Sequence, residues 1–220
     1  AALLGMALFA PYLAPYAPDA IDLASRLSPP NGAHWLGTDH LGRDILSRLI
    51  WGSRVSIGAV ALIAVLIMVT GFIAGSLAGW LGGWVDTVLM RVCEVFMTFP
   101  TFILAMFLVG VLGRGLDNVV LAIVLTHWAW YARIVRGMII GLKNREYILA
   151  ARVAGGGGAG IFFRHVAPPV LSQMIILATL DLGHMMLHVS GLSFLGLGVQ
   201  PPTPEWGVMI NAARNHIWTN

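Results

Sequence analysis

The chain has 220 residues, of which 58% are hydrophobic and only 10% charged, with a formal net charge of +3 and a mean hydropathy of +0.81. A soluble domain carries about a quarter charged residues, so too few are present to clothe a water-facing surface, and the bilayer is the expected solvent. The small net charge gives no support to nucleic-acid binding, and the single cysteine, Cys93, excludes an intrachain disulfide or a cysteine cluster.

The first sixteen residues, AALLGMALFAPYLAPY, hold an apolar run too short to cross a bilayer. They read as the outer end of a truncated first span, and the last residues, HIWTN, stop without a closing element. The expectation is therefore a single transmembrane domain over 1–220, cut at both ends. Residues 14–54 form the next expected unit, a segment outside the membrane. Within it Thr38–Arg54 reads as an amphipathic helix lying across the mouth of the bundle. Thr38 or Asp39 would cap it, Leu41, Ile45 and Leu49 would share a face, and Asp44 and Arg48 would pair at i,i+4.

Charge-free runs then mark the spans. There are 31 uncharged residues between Arg54 and Asp86 and 19 between Glu94 and Arg114, and between Arg164 and Glu205 the only formal charge is Asp181. With about 20 apolar residues needed per span, four complete helices are expected, near Val55–Leu81, Val95–Leu112, Val119–Ile140 and Pro169–Leu192. Such unbroken runs fit helices, because barrel strands would alternate over about ten residues. Gly71, Gly75, Gly79 and Gly83 recur every four residues and predict a smooth face against which a second helix packs closely.

Basic residues mark the cytoplasmic side of a membrane protein. Arg133, Arg136, Lys143, Arg145, Arg152 and Arg164 all lie at or between the last two complete spans. Residues 141–168 are therefore expected inside and 14–54 outside. The interior loop carries EYILAARVAGGGGAGIFFRHVAPP, in which a short helix bounded by glycine can dock in a groove on a water-soluble partner. The run Gly155–Gly158 supplies the turn that lets it lie flat.

This loop resembles the EAA loop of ABC-importer permease subunits. Glu146 opens it; Leu149, Ala150 and Ala151 stand at the EAA positions, Gly155 at the family glycine, and His165 and Pro168 close it. Leu149 replaces the family glutamate and Pro169 the usual asparagine. The resemblance extends to LGTDHLGRDILSRLIWGSRVSI (Leu36–Ile57), MTFP (Met97–Pro100), SFLGLGVQPPTPEWGVMI (Ser193–Ile210) and NAAR (Asn211–Arg214). Together these are similar to the dipeptide, oligopeptide and nickel permease family. HWAWYARIVR (His127–Arg136) and LATLDLGHMMLHVSGLSFLG (Leu177–Gly196) look most like its nickel-transporting branch.

The resemblance implies an all-α polytopic bundle in a bacterial inner membrane, with six helices in the full protein. It also implies four partners besides lipid: a second permease subunit, two cytoplasmic ATPase subunits and an extracytoplasmic solute-binding protein. ATP and Mg²⁺ would sit on the ATPase subunits. The chain itself has no expected cofactor and no catalytic residue, because Lys143 is the only lysine and does not follow a Walker A pattern.

One polar feature lies at membrane depth. Asp181, His184 and His188 are spaced i, i+3, i+7 and share a helix face; Met185 flanks them and His127 falls in the preceding span. Ionisable groups at that depth face a cavity or a partner helix. Imidazole with carboxylate suits a borderline divalent ion such as Ni²⁺, and such groups also serve as interhelical hydrogen-bond partners. His127, Asp181, His184 and His188 are the expected substrate pathway, with His184, His188 and Asp181 as transient metal ligands. Two rival readings use the same residues. A membrane metalloenzyme lacks an H-E-x-x-H pattern here, and a proton-driven secondary transporter leaves the docking loop unexplained. Within the importer reading, di- or oligopeptides are the alternative cargo to nickel.

Overall fold

A computed structural model describes residues 2–216. Short helices α1 (Ala2–Leu8) and α2 (Ala10–Leu13) are followed by a 3₁₀ turn at Leu23–Ser25 and then by α3 (Ile45–Leu81), α4 (Gly83–Thr98), α5 (Thr101–Leu112) and α6 (Leu116–Lys143). The chain continues through α7 (Glu146–Val153), α8 (Gly158–Ile161), a π turn at Phe162–Val166, α9 (Ala167–Phe194) and α10 (Trp206–Ala213), ending in a 3₁₀ turn at Arg214–His216. The only β pairing among the described residues is an isolated bridge between Thr38 and Asp44. The all-α expectation therefore holds.

Among the described residues, three helices are long and apolar enough to span a bilayer: Ile45–Leu81, Leu116–Lys143 and the continuous run Gly158–Phe194. They contain three of the four expected spans. The fourth, Val95–Leu112, is not one straight helix: α4 and α5 meet at a bend of 88°, and they make a span only as a broken pair. Pro100 causes the break. It has no N–H to donate and biases the preceding residue away from helix, and Phe99 is extended at φ −96°, ψ 140°.

Two other boundaries differ from expectation. The expected helix Thr38–Arg54 begins only at Ile45 and is continuous with the first complete span. Asp44, not Thr38 or Asp39, takes the capping role, accepting at 2.7 Å from the Ser47 N–H. Asp44 pairs with His34 at 2.9 Å, while Arg48 lies 3.6 Å from Asp39, so the expected Asp44–Arg48 pair is replaced. Helix also extends back from the expected start at Pro169 to Gly158. The prolines at 168 and 169 lack donors and would crowd the carbonyls of the preceding turn. A π turn there is wider, and the Ala167 N–H reaches back to Phe162 O.

The fold divides into two compact units: Ala1–Leu62, Met106–Leu121 and His184–Asn220 in the first, Ile63–Ala105 and Ala122–Gly183 in the second. In the second unit the glycine stripe packs α3 on α6. A Cβ on Gly71 would stand 2.6 Å from Tyr131 Cβ, one on Gly75 2.5 Å from Ala132 O, and one on Gly79 3.0 Å from Ile139 Cβ. Gly83 has no such neighbour and lies outside the stripe. Cys93, Ala129 and Ala132 form a fully buried cluster covered by Ala74, Met90, Phe96 and Trp128, so Cys93 packs as a small apolar residue.

In the first unit, residues 193–210 fold against the start of α3. Glu205 is fully buried; its carboxylate accepts from Ser56 Oγ at 3.1 Å and caps α10 through the Val208 N–H at 3.0 Å. Trp206 donates its indole N–H to Leu49 O at 3.1 Å. The loop before α3 is tight: Gly42 has φ +74°, and a Cβ there would stand 1.7 Å from Asp22 O, a position only glycine fills.

Candidate functional site

Within the second unit, Asp181 on α9 meets α6. His127 Nε2 lies 2.9 Å from Asp181 Oδ2, and the Tyr131 hydroxyl donates to the same oxygen at 3.2 Å. All three side chains are buried, Tyr131 completely. His127 and Tyr131 are one helical turn apart, which puts both on the same face of α6. A carboxylate held by a ring nitrogen and a phenol has its oxygen satisfied in a low-dielectric setting, where an unmet charge is costly. Sequence reasoning misses Tyr131; its signal is the i+4 spacing from His127.

Within the first unit, His184 and His188 stack on each other along α9, with ring centroids 4.8 Å apart and planes at 21°. His184 is exposed, His188 half-buried, and Met185 points into the core. Among the described residues, no group of three His, Cys, Asp or Glu side chains is placed to hold a metal ion. Along the expected stripe, Asp181 meets His127 and Tyr131, and His184 stacks on His188.

The loop residues fall on a short helix, the turn after it and the π turn that leads into α9. Helix α7 is held by the fully buried Ile148, while Glu146, Leu149 and Ala150 are exposed and Ala151 is half-buried. The helix ends in a Schellman motif: Gly156 N–H donates to Ala151 O and Gly155 N–H to Arg152 O, both at 3.0 Å. Gly155 has φ +84°, the left-handed conformation that this cap requires and glycine adopts freely. The turn is made by Ala154–Gly157 and not by the whole glycine run, since Gly158 already opens α8. His165 and Pro168 fall in and after the π turn, half-buried and exposed respectively.

Aromatic and cationic side chains tie this region down. Trp80 at the end of α3 packs on Phe162 at 5.4 Å and carries the Arg152 and Lys143 cations at 5.7 and 5.8 Å from its ring. Lys143 Nζ also donates to Trp80 O at 2.7 Å. Arg136 grips Asp86 with two donors, Nη2 to Oδ2 at 2.6 Å and Nε to Oδ1. Contacts of Lys143 and Arg152 with Trp80 thus tie the two flanks of α7 to the end of α3.

Residues 69–217 match the family described as binding-protein-dependent transport system inner membrane component. The chain belongs to this family. It is a multi-pass transport component of the inner membrane, not an enzyme. Among curated relatives, this transport component is 57% identical, over 97% of its own length and 77% of the relative's, to the nickel transport system permease protein NikC of Escherichia coli. It is 41% identical to the glutathione transport system permease protein GsiD of Pectobacterium atrosepticum, over 98% and 72% of the two chains. It is 40% identical to the metal-staphylopine import system permease protein CntC of Staphylococcus aureus, over 98% and 74%.

Proposed function

We propose that this chain is the permease subunit of an ATP-driven importer for nickel and lines half of the translocation path. The observation that carries the reading is the 57% identity, across nearly the whole chain, to a nickel transport permease. The family description implies an external binding protein and an energy-supplying subunit. We assign a second permease subunit, two cytoplasmic ATPase subunits carrying ATP and Mg²⁺, and a solute-binding protein outside.

Residues 141–168 lie on the cytoplasmic side and 14–54 outside, as the concentration of Arg and Lys around α7 supports. The exposed face of α7, with Glu146, Leu149, Ala150 and Ala151, docks in the ATPase, and Gly155, His165 and Pro168 set the return of the chain into α9. Closure of the ATPases on ATP moves α7, and its anchors at Trp80, Phe162 and Ile148 carry the motion to α3, α6 and α9. His184 and His188 offer imidazole nitrogens to an ion in transit, which suits a borderline divalent cation. A pathway must also release its ion, so two weak ligands serve better than a closed cage. His127 and Asp181 line the path as a hydrogen-bonded pair, with the Tyr131 hydroxyl donating to the same carboxylate oxygen.

A second reading, a small peptide as cargo, is favoured by the 41% identity to a glutathione permease. Uptake of Ni²⁺, Co²⁺ and a dipeptide by cells with and without the gene separates the two. Sidedness is tested by cysteines at Asn31 and Asn144 in a Cys93→Ala background. They label from opposite faces, with Asn31 outside; labelling from one face contradicts the topology.

A further inference from the structure

Three span ends meet at Trp80, entirely within the second unit. Trp80 stands at the end of α3, Lys143 closes α6, and Phe162 lies near the start of the run Gly158–Phe194. Phe162 packs on the Trp80 ring at 5.4 Å. Lys143 Nζ and the Arg152 guanidinium lie over the same ring, 5.8 and 5.7 Å from its centre. A tryptophan at the end of a span sits at the level of the lipid headgroups, so the two cations stand at that level too. Trp84 and Phe163, next along the chain, are both exposed.

The charge around this ring is one-sided. Between Arg133 and Arg164 there are six cations and one carboxylate, Glu146. Among the described residues the arginine ion pairs belong to Arg43, Arg48, Arg91 and Arg136, and Arg136 takes Asp86, the acid that follows α3. Contact with a π face positions a cation without neutralising it. Arg152 is one helical turn beyond the fully buried Ile148 and shares its face of α7. Its guanidinium therefore reaches back over Trp80. An exposed apolar track leads away from the cluster: Ile73, Leu77 and Leu81 recur every four residues on α3, on the face turned away from the glycine stripe.

Resting on the sidedness proposed above, we infer that Trp80, Lys143 and Arg152 bind the phosphate of an anionic phospholipid of the inner leaflet, with an acyl chain laid along Ile73, Leu77 and Leu81. The two unesterified phosphate oxygens fit the guanidinium fork, and the ammonium acts as a point charge beside it. Lys143 gives one of its donors to Trp80 O at 2.7 Å, which fixes the ammonium at the ring and leaves others for the phosphate. Basic pockets between the cytoplasmic ends of spans suit such headgroups. A zwitterionic phospholipid brings its own cation and gains less from the site. A lipid held here ties α7 to the bilayer surface as well as to the end of α3.

The test uses the full chain, purified in detergent and stripped of lipid, titrated with phosphatidylglycerol or with phosphatidylcholine while bound lipid is counted by native mass spectrometry. Selective retention of phosphatidylglycerol is expected. Lys143→Gln and Arg152→Gln each weaken it about fivefold, the share of one basic side chain near a headgroup. Arg152→Lys, which keeps the charge, loses less. Arg54→Gln removes the cation over Trp51 at the other end of α3 and leaves phosphatidylglycerol binding unchanged. Thermal unfolding without lipid guards against a folding defect, and added phosphatidylglycerol raises the melting temperature of the wild type more than that of Lys143→Gln/Arg152→Gln. Equal phosphatidylglycerol affinity in the wild type and this double variant overturns the inference. A double variant that binds the lipid normally but no longer assembles with the ATPase also overturns it and assigns the cations to that subunit. Sidedness is read separately from the cysteine at Asn144: labelling from outside overturns the topology, and loss of lipid in the double variant then leaves the headgroup site standing in the outer leaflet.

Discussion

His127 and Asp181, 54 residues apart in sequence, face each other with Nε2 and Oδ2 2.9 Å apart inside the packing of α6 against α9. Removing the two partners has unequal consequences. In His127→Leu the carboxylate stays buried without its imidazole partner, whereas Asp181→Asn leaves a neutral amide that still reaches ring and phenol. His127→Leu is expected to destabilise the chain by about 1–3 kcal/mol, the cost of stranding a buried polar group, and Asp181→Asn by less. Thermal unfolding of both variants in detergent ranks them; equal losses contradict the pairing.

Gly155 is the left-handed residue of the cap that ends α7. Gly155→Ala keeps the N–H that bonds Arg152 O but places a Cβ at φ +84°, a strain of about 1–2 kcal/mol. Gly155→Pro removes the donor and fixes φ near −65°. The alanine variant is expected to slow ATP-driven transport modestly and the proline variant to abolish it, with membrane insertion intact. Parallel assays of ATP hydrolysis and transport check this; normal transport by Gly155→Pro contradicts the coupling role.

The glycine stripe makes a sharper stability prediction. A Cβ on Gly75 would press 2.5 Å from the Ala132 carbonyl oxygen and 2.6 Å from Val135 Cβ, so Gly75→Val forces α3 and α6 apart. A loss of about 1–3 kcal/mol is expected, as for other overpacked interiors. Gly137→Ala, on α6 with open space around it, is neutral or slightly stabilising. Thermal unfolding of the two variants side by side gives the comparison.

Much of the fold is legible in the sequence. The glycine spacing is enough for the close approach of a second helix, and the pattern from Glu146 to Pro168 places a short helix and its glycine cap. The break at Phe99–Pro100 is hidden because the uncharged run from Val95 to Gly113 masks a proline that can stop a helix anywhere within it. The cap of α3 shifts from Thr38 or Asp39 to Asp44 because Asp39 is taken by Arg43 at 2.7 Å and its loop is closed by the Thr38–Asp44 bridge. Helix periodicity puts Asp181, His184 and His188 on one face. It carries no information on partners from other helices, so the contacts of Asp181 with His127 and Tyr131 come only from the fold.

Asp39, in the loop before α3, gives the chain a pH dependence. Burial alone would raise its pKa, but donors from the Leu41 and Arg43 backbone and the Arg43 guanidinium outweigh that and hold it below the ordinary 3.8. A depressed carboxylate stabilises the fold above its unfolded value, and the gain is lost as pH falls through the lower folded value. Asp39→Asn is therefore expected to be less stable than wild type at neutral pH, the gap narrowing below about pH 3.8. Unfolding curves for the two proteins across pH 3 to 7 check the sign; a constant gap contradicts it.

Nickel as cargo and ATP as its energy source are the central claims, and one measurement addresses both. Sealed vesicles carrying the assembled importer are loaded with ATP and Mg²⁺, supplied outside with the binding protein and Ni²⁺, and the trapped nickel is measured over time. Accumulation that requires ATP, ignores a proton gradient, and falls sharply in His184→Leu/His188→Leu while ATPase assembly persists is the predicted result. ATP-driven uptake of a small peptide with no uptake of nickel would contradict the account.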